Sequence, residues 1–212
     1  MSGKKTGKKP KILIIGAGPT GLTAGLELAR RGIIPDIIDI KEGPSPLSRA
    51  VGILPSSMDI LEPSGVAQRI RLKAISVERV MVHQEGVLKA SLPINILPDP
   101  KMRIFAMPQD RTEKLISECF EELGGKVRYS AALEGLSQNN SGVTALINGR
   151  RRKFDYVIGA DGIRSKTRDL LGLSYDGYEL DGDWSIADFE TPSDFGMKQF
   201  NVFFLPEGQI AI

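Results

Sequence analysis

The sequence predicts an α/β fold with a parallel central sheet, followed by the beginning of a second, β-rich part. A strand, a helix and a second strand follow one another within about 30 residues near the amino end. A buried apolar strand later in the chain precedes a turn and another helix, and strand-like runs separated by turns begin near Leu180. The predicted division is a tail at residues 1–10, a first domain at 11–173 with β insertions around 74–107, and a second domain beginning at 174–212.

The composition is that of an ordinary soluble domain, with 41% hydrophobic, 25% charged and 6% aromatic residues in a chain of 212. Four of the 28 basic residues stand in the first ten positions, which leaves 24 basic against 26 acidic residues in the rest. That balance argues against a nucleic-acid-binding face, which needs clustered Lys and Arg on the fold itself. The tail is expected to be disordered and solvated, with a weak anchor for something acidic as the alternative.

Cysteine usage and apolar runs indicate the compartment. Cys119 is the single cysteine, so no intrachain disulfide framework can form. The tail has no apolar stretch that could serve as a secretory signal, and no run of about eighteen apolar residues predicts a transmembrane helix. We therefore expect a cytoplasmic protein that does not span a membrane. Cys119 itself is expected to be a buried small hydrophobe rather than a reactive thiol.

The first elements form a βαβ unit. A short apolar run at residues 11–15 ends in glycine and predicts a buried parallel strand. Apolar residues then recur at helical spacing from Leu22, and Gly32 is the expected stop of that helix. Residues 33–38 form a second apolar run that ends at Asp39.

The middle of the chain alternates turns, short strands and one clear helix. Residues 56–61 predict a short helix cut by Pro63, whereas residues 111–123 predict an amphipathic helix that two glycines end. Strands are expected at residues 77–82, 87–92, 103–107, 127–129, 131–136, 143–147 and 154–158, with a hairpin turn at 139–142. A helix is expected at residues 164–171, and further strands at 200–205 and 209–212.

A G-x-G-x-x-G sequence, Gly16 to Gly21, joins the first strand to the first helix. Gly16 allows the tight turn, Gly18 leaves the backbone open to a pyrophosphate, and Gly21 lets the helix pack close to the sheet. The helix amino end near Thr20 offers free N–H groups and a positive dipole end to the phosphates. These features predict a Rossmann-like, dinucleotide-binding fold.

Asp39, at the end of the second strand, is expected to accept hydrogen bonds from the adenosine ribose. Its carboxylate would repel a 2′-phosphate, so the bound dinucleotide should be FAD or NAD rather than NADP. The G-x-G-x-x-G sequence does not separate FAD from NAD. A glycine-rich turn in an unrelated α/β protein and an NAD-dependent dehydrogenase remain alternatives.

Two later segments resemble the aromatic-hydroxylase family of flavin monooxygenases, of the para-hydroxybenzoate hydroxylase type. Residues 45–53, SPLSRAVGI, are similar to a family loop whose arginine lies beside the flavin, and Arg49 matches that arginine. Residues 155–168, DYVIGADGIRSKTR, are similar to the family's Asp-Gly motif, whose aspartate binds the ribose part of FAD and matches Asp161. A solvated loop charge is the alternative for Arg49, and a helix cap is the alternative for Asp161.

A weaker resemblance covers residues 107–113, where a family glutamine that contacts the flavin ribityl chain matches Gln109. Helix entry alone would also explain that polar cluster. The family usually has an arginine shortly after the acidic residue, and Lys41 would have to serve here. The family's third motif, Gly-Asp followed by small residues and His, does not occur in the sequence. The resemblance runs from residue 11 to about 212, about half of a typical member.

The resemblance implies an FAD-dependent monooxygenase that hydroxylates an aromatic, phenol-like substrate with NAD(P)H and O₂, here as an amino-terminal portion. The alternatives are a non-catalytic or incomplete FAD-binding fragment, and a related flavin epoxidase or reductase. The expected cofactor is FAD, with NAD(P)H as co-substrate and a small aromatic compound as substrate. The residues expected to bind the cofactor are Gly16, Gly18, Thr20, Gly21, Asp39, Lys41, Arg49, Gln109 and Asp161. A homodimer is left open.

No side chain in the sequence is predicted to be a catalytic acid, base or nucleophile. His83, the single histidine, falls in a strand pattern and is expected to be structural or on the surface. Trp184 and Phe189 are expected to pack in a core. No residues have the spacing of metal ligands.

Overall fold

The structure, a computed structural model, describes residues 8–46, 50–96, 103–179, 185–187, 196 and 198–211. Contacts divide the chain into a first unit, Met1–Leu47 with Thr112–Asp181, and a second unit, Ser48–Arg111 with Gly182–Ile212. Both units are discontinuous in sequence, whereas the predicted domains are contiguous, because strands far apart in the chain pair within one sheet. The predicted domain bounds stay a prediction.

The described residues form strands and helices whose bounds are as follows. The strands are β1 (Ile12–Ile15), β2 (Asp36–Ile38), β3 (Gly52–Ile53), β4 (Ile75–Ser76), β5 (Arg79–Gln84), β6 (Val87–Pro93), β7 (Phe105–Ala106), β8 (Val127–Arg128), β9 (Leu133–Asn139), β10 (Gly142–Ile147), β11 (Arg150–Phe154), β12 (Tyr156–Gly159), β13 (Gln199–Leu205) and β14 (Gly208–Ala211). The helices are α1 (Pro19–Arg30), α2 (Pro55–Leu61), α3 (Val66–Lys73), α4 (Gln109–Glu122) and α5 (Lys166–Leu170).

The first unit is built on a parallel four-stranded sheet in the order β12-β1-β2-β8. Leu13 and Ile14, on opposite faces of β1, are both fully buried, which explains the continuous apolar run. The chain proceeds from β1 to β2 and β8 on one side, and β12 lies on the other side of β1. The strand order therefore reverses between β1 and β12, and ligands of such sheets bind outside the carboxyl ends at that point. The predicted α/β class with a parallel sheet is confirmed.

Helix α1 packs closely against β2 and against α4. A Cβ built on Gly25 would lie 2.5 Å from Ile37 and 3.5 Å from the Phe120 ring. The apolar face of α4 buries Cys119, which is 4% exposed, as the amphipathic pattern predicts. No helix in the described part of the chain combines the length and apolar character needed to span a bilayer.

An antiparallel sheet in the order β11-β10-β9 supplies the rest of the core of the first unit. Leu13, Ile15 and Ile38 from the parallel sheet form one cluster with Leu133, Ile147 and Phe154. Burying each such side chain contributes roughly 1.5–3 kcal/mol. The two sheets are thus held together by the alternate residues that face away from α1 and α4.

Strand β11 was not predicted, because its four basic residues at positions 150–153 are exposed and give no apolar alternation. Its pairing with β10 follows a two-residue turn, Asn148-Gly149, in which φ is 46° and 72°. Two successive positive φ angles are those of a type I′ hairpin turn. The strand predicted at residues 154–158 is in fact the end of β11 and the beginning of β12, separated by Asp155.

The second unit contains a four-stranded sheet in the order β14-β13-β5-β6 and a small sheet in the order β3-β7-β4. Strands β13 and β14 lie where the sequence predicts them. The sequence does not predict helix α3, because Pro63 interrupts the helical pattern. Pro63 lies instead in a short 3₁₀ turn, Glu62–Ser64, after which the helix restarts and buries Val66, Ala67 and Ile70.

Candidate nucleotide-binding site

The turn between β1 and α1 fits closely against the end of β12. Gly16 has a φ of 103°, and a Cβ built on it would lie 2.2 Å from the carbonyl oxygen of Ala160. The Gly16 N–H donates to the carbonyl of Ile38 at 2.8 Å, so the turn is also bonded to the end of β2. Because this Cβ would meet backbone atoms of Ala160 and Asp161, which cannot rotate away, only glycine fits at position 16.

The amino end of α1 combines close packing on one side with open space on the other. A Cβ on Gly21 would lie 1.9 Å from the carbonyl oxygen of Gly16, whereas a Cβ on Gly18 would meet no atom of the residues that the structure describes within 4 Å. Gly18 makes no side-chain cap, and the first turn of α1 contains no acidic residue. Thr20, in the same turn, is exposed. An anion can therefore approach the free N–H groups and the positive end of the helix dipole.

Asp39 lies directly after β2 and is only 6% exposed. Its Oδ2 accepts the N–H of Ala17 at 2.8 Å, and its Oδ1 accepts the N–H of Lys41 at 2.9 Å. A carboxylate oxygen can accept two hydrogen bonds, so each oxygen keeps one acceptor position. The Lys41 ammonium lies 3.8 Å from Oδ2, with its side chain 45% exposed. The arrangement orients Asp39 toward the turn that carries the glycines.

Asp161 follows β12 and organises the start of α5. Its Oδ1 accepts the hydroxyl of Ser165 at 2.6 Å, and its Oδ2 accepts the N–H and the hydroxyl of Thr167 at 2.9 and 3.0 Å. Partial burial raises the pKa of Asp161, but the hydrogen bonds from Ser165 and Thr167 outweigh it and hold the pKa below its usual 3.8. The hydrogen bonds of Asp161 are therefore those of a residue that caps the start of a helix. Its binding to the ribose part of FAD stays a prediction.

Sequence reasoning missed the small residues that let β12, β1 and α5 approach one another. Ala160 contacts Gly16, and a Cβ on Gly159 would lie 2.9 Å from the Thr167 side chain. The Ser165 hydroxyl accepts the N–H of Arg168 at 3.0 Å and so caps α5. The sequence does show small residues here, in Gly-Ala-Asp-Gly. Which residues pack against them is known only from the fold.

The loop after β8 lies next to Asp39. The Asp39 N–H donates to the carbonyl of Arg128 at 2.9 Å, and the N–H of Ala131 donates to the carbonyl of Asp39 at 2.9 Å. Between them, Tyr129 is half-buried. Burial raises the pKa of the Tyr129 phenol, and the negative charge of Asp39 raises it further. Asp39 thus presents its charge at the carboxyl edge of the sheet, where a ribose is expected.

The remaining predicted residues are distributed elsewhere. Arg49, Trp184 and Phe189 lie outside the described residues. Gln109 is the first residue of α4 and belongs to the second unit. Beside it, Oδ1 of Asp110 is a buried oxygen that has no hydrogen-bond partner among the residues described.

His83 has a structural environment, in keeping with its position in β5. Its Nε2 lies 3.2 Å from Oδ1 of Asn201, and its ring stacks on Phe203 with the centroids 4.4 Å apart.

Comparison with known proteins identifies the family. The sequence matches the family described as FAD binding domain over residues 9–206. It is 32% identical over 170 residues to a rifampicin monooxygenase of Streptomyces venezuelae, covering 78% of this chain and 34% of that protein. It is 30% identical over 197 residues to a pentachlorophenol 4-monooxygenase of Sphingobium chlorophenolicum, covering 87% of this chain and 37% of that protein.

Solved structures show the same fold. The crystal structure of a p-nitrophenol 4-monooxygenase from Pseudomonas putida DLL-E4 has a TM-score of 0.76 and 25% identity, covering 80% of this chain and 45% of that one. The flavin-dependent monooxygenase PieE, crystallised with FAD and substrate, has a TM-score of 0.71 and 28% identity, covering 81% and 33%. This chain thus spans between a third and a half of the length of each of these four proteins.

The geometry fits the cofactor of that family. A pyrophosphate needs bare backbone and uncapped N–H groups, which Gly18 and the first turn of α1 provide. An adenosine ribose needs a fixed acceptor at the end of the second strand, which Asp39 provides. The chain belongs to the FAD-binding domain family of the class A flavoprotein aromatic hydroxylases, whose cofactor is FAD.

Proposed function

We propose that this chain is the FAD-binding part of a monooxygenase that hydroxylates an aromatic, phenol-like substrate with NAD(P)H and O₂. The observation that carries the proposal is the open backbone at Gly18 beside the oriented carboxylate of Asp39, at the point where the strand order reverses. The substrate class is supported by the relatives, which are named as monooxygenases of pentachlorophenol and p-nitrophenol.

The residues of this chain would hold the cofactor along its length. The pyrophosphate would lie over Gly18 and the first turn of α1, where Thr20 stands. The adenosine ribose would donate hydrogen bonds to Asp39, and the ammonium of Lys41 would add a positive charge near the phosphates. We assign contacts with the remaining part of FAD to Arg49, Gln109 and Asp161 on the resemblance alone. Asp161 is ionised at neutral pH because its pKa is lowered.

Bound FAD supplies the redox chemistry between NAD(P)H and O₂, and the protein supplies position and electrostatics. The two backbone N–H bonds that Asp39 accepts hold its carboxylate in one orientation. A fixed negative charge at the ribose disfavours a 2′-phosphate, which selects FAD at this site over NADP. The positive end of α1 offsets the charge of the pyrophosphate.

The second candidate is a chain that binds FAD but does not catalyse a reaction. The chain spans 34% and 37% of the two monooxygenases named above, so FAD binding by these residues and turnover are tested separately. A related flavin epoxidase or reductase would bind FAD in the same way. Turnover and product, rather than FAD binding, separate these candidates.

The first experiment is the visible spectrum of the chain after FAD is added and the excess removed, followed by NADH and NADPH oxidation assays with phenols. Retained flavin bands together with phenol-dependent oxidation and O₂ uptake that yields a hydroxylated product support the proposal. Retained flavin without oxidation supports the FAD-holding candidate. A protein that retains no flavin contradicts the proposed FAD site in this chain.

We also propose a cytoplasmic location, because the single cysteine is buried and no disulfide is required. A homodimer remains a proposal, which a light-scattering mass measurement tests directly.

A further inference from the structure

Asn148 connects a hairpin turn to the loop beside Asp39. Its Nδ2 donates to the carbonyl of Ser130 at 2.8 Å, and its Oδ1 accepts the N–H of Ala132 at 2.8 Å. The Asn148 N–H also donates to the carbonyl of Ala132 at 3.2 Å. Three hydrogen bonds therefore fasten residues 130–132 to the turn between β10 and β11.

The same loop is bonded to the backbone that carries Asp39. The N–H of Ser130 donates to the carbonyl of Lys41 at 2.7 Å, and the N–H of Ala131 donates to the carbonyl of Asp39 at 2.9 Å. Residues 130–132 thus lie between Asn148 and both ends of the Asp39–Lys41 segment. Two consecutive sets of hydrogen bonds therefore connect Asn148 to the backbone carbonyls of Asp39 and Lys41.

Backbone conformation is unusual at Ser130, whereas at Asn148 it is that of the type I′ hairpin turn. Ser130 has a φ of 51° and Asn148 a φ of 46°, and the only other non-glycine residue with a positive φ in the described chain is Glu85, in a different hairpin turn. Positive φ is disfavoured for residues that carry a Cβ, and such residues cluster where a site must be held in one geometry. Asn tolerates this conformation, whereas Ser at position 130 has to be held there by its neighbours.

We propose that Asn148 is a positioning residue for the nucleotide site: it holds residues 130–132, which hold the Asp39 carboxylate where it receives the adenosine ribose. The assignment rests on the proposed FAD site at Asp39. Asn148 itself is exposed and needs no contact with the ligand. Its effect on FAD affinity is transmitted through Asp39.

The test is a double-mutant cycle on the dissociation constant for FAD, measured by fluorescence titration up to millimolar FAD. Asn148→Asp keeps an acceptor for Ala132 but replaces the donor to Ser130 with an oxygen, so the two carbonyl-type oxygens repel. Changes along such networks alter affinity by about 2- to 30-fold. We expect Asn148→Asp to weaken FAD binding about 3- to 10-fold, and to have less than a twofold effect when Asp39→Asn is already present.

Asn139 provides a matched control in the same antiparallel sheet. Its Oδ1 accepts the N–H and the hydroxyl of Ser141 at 2.9 and 2.7 Å, within the turn between β9 and β10. Asn139→Ala should leave FAD affinity within twofold of wild type. Asn148→Gly, which suits the positive φ but lacks the amide, should weaken FAD binding as Asn148→Asp does while the apoprotein still melts cooperatively.

The outcomes are distinct. Loss of affinity at Asn148 that persists unchanged in the Asp39→Asn background, or affinity within twofold of wild type for both Asn148 variants, overturns the positioning role and leaves the FAD site standing. A wild-type chain that binds no FAD overturns the proposed site and this assignment with it.

Discussion

Alanine substitutions at two glycines at the start of α1 should have different effects: Gly21→Ala should lower stability, and Gly18→Ala should weaken nucleotide binding. A Cβ at Gly21 would lie 1.9 Å from the carbonyl oxygen of Gly16, closer than the 3.0 Å that real Cβ atoms respect, so α1 must move by about 1 Å. A Cβ at Gly18 would meet no atom of a described residue within 4 Å, and φ there is −81°, which any residue adopts. The first change costs stability, whereas the second fills only the space proposed for the pyrophosphate.

The magnitudes follow from those distances. Overpacking against rigid neighbours costs typically 1–3 kcal/mol, and because the partner of Gly21 is backbone we expect Gly21→Ala to cost about 3 kcal/mol. For a chain of this size that lowers the Tm of the apoprotein by about 6–12 °C. Gly18→Ala should change the free energy of unfolding by less than about 0.5 kcal/mol. It should nevertheless weaken FAD binding at least about tenfold, equivalent to about 1.4 kcal/mol.

The assay pairs thermal unfolding of the apoprotein, followed by circular dichroism, with FAD titration of each variant at a temperature where both are folded. Wild-type FAD affinity in Gly18→Ala would refute the approach of the pyrophosphate to position 18. An unchanged Tm in Gly21→Ala would refute the packing of α1 against the Gly16 carbonyl.

Three further predictions concern single side chains. Asp39→Asn should weaken ADP binding while narrowing the preference for ADP over 2′,5′-ADP, because the repulsion of the 2′-phosphate is removed; an unchanged ratio in competition titrations contradicts the ribose role. The pKa of Asp161 is lowered, so its stabilisation is present at neutral pH and lost as the pH falls through the lowered pKa, below the usual 3.8. The difference in free energy of unfolding between wild type and Asp161→Asn should therefore shrink below about pH 4, and a constant difference in denaturant titrations across pH 3 to 7 contradicts this. Cys119 is 4% exposed and should react with a thiol reagent only after denaturation; rapid labelling of the native protein would contradict its burial.

Much of the candidate site could be predicted because its chemistry is local in sequence. The G-x-G-x-x-G sequence needs one strand before it and one helix after it, and both signals are adjacent in the chain. Asp39 ends the next apolar run, so its place at the carboxyl edge follows from the βαβ unit alone. The capping contacts of Asp161 were an alternative that the sequence offered, since Ser165 and Thr167 lie within six residues of it.

Other features depend on partners far away in the chain. Strand β13 pairs in parallel with β5, from Gln199 opposite Arg79 to Phe204 opposite Gln84. Nothing in the sequence of either strand predicts that the other is its partner. Strand β11 is mostly basic, and its place at a sheet edge follows from the Asn148-Gly149 turn rather than from its own pattern. Helix α3 is short and buries only three residues, so its apolar pattern in the sequence is weaker than the helix-ending signal of Pro63.

The sequence by itself determined the α/β class, the glycine turn, the acid at the end of the second strand and the buried side of α4, because each is encoded by residues that are near one another in the sequence. Only the tertiary structure decided that Ala160 closes against Gly16 and that Asn148 reaches Asp39 through residues 130–132. Gly16 and Ala160 are 144 residues apart in the sequence, and Asp39 and Asn148 are 109 residues apart. Hydrogen bonds and steric limits between such segments exist only once the sheets have formed.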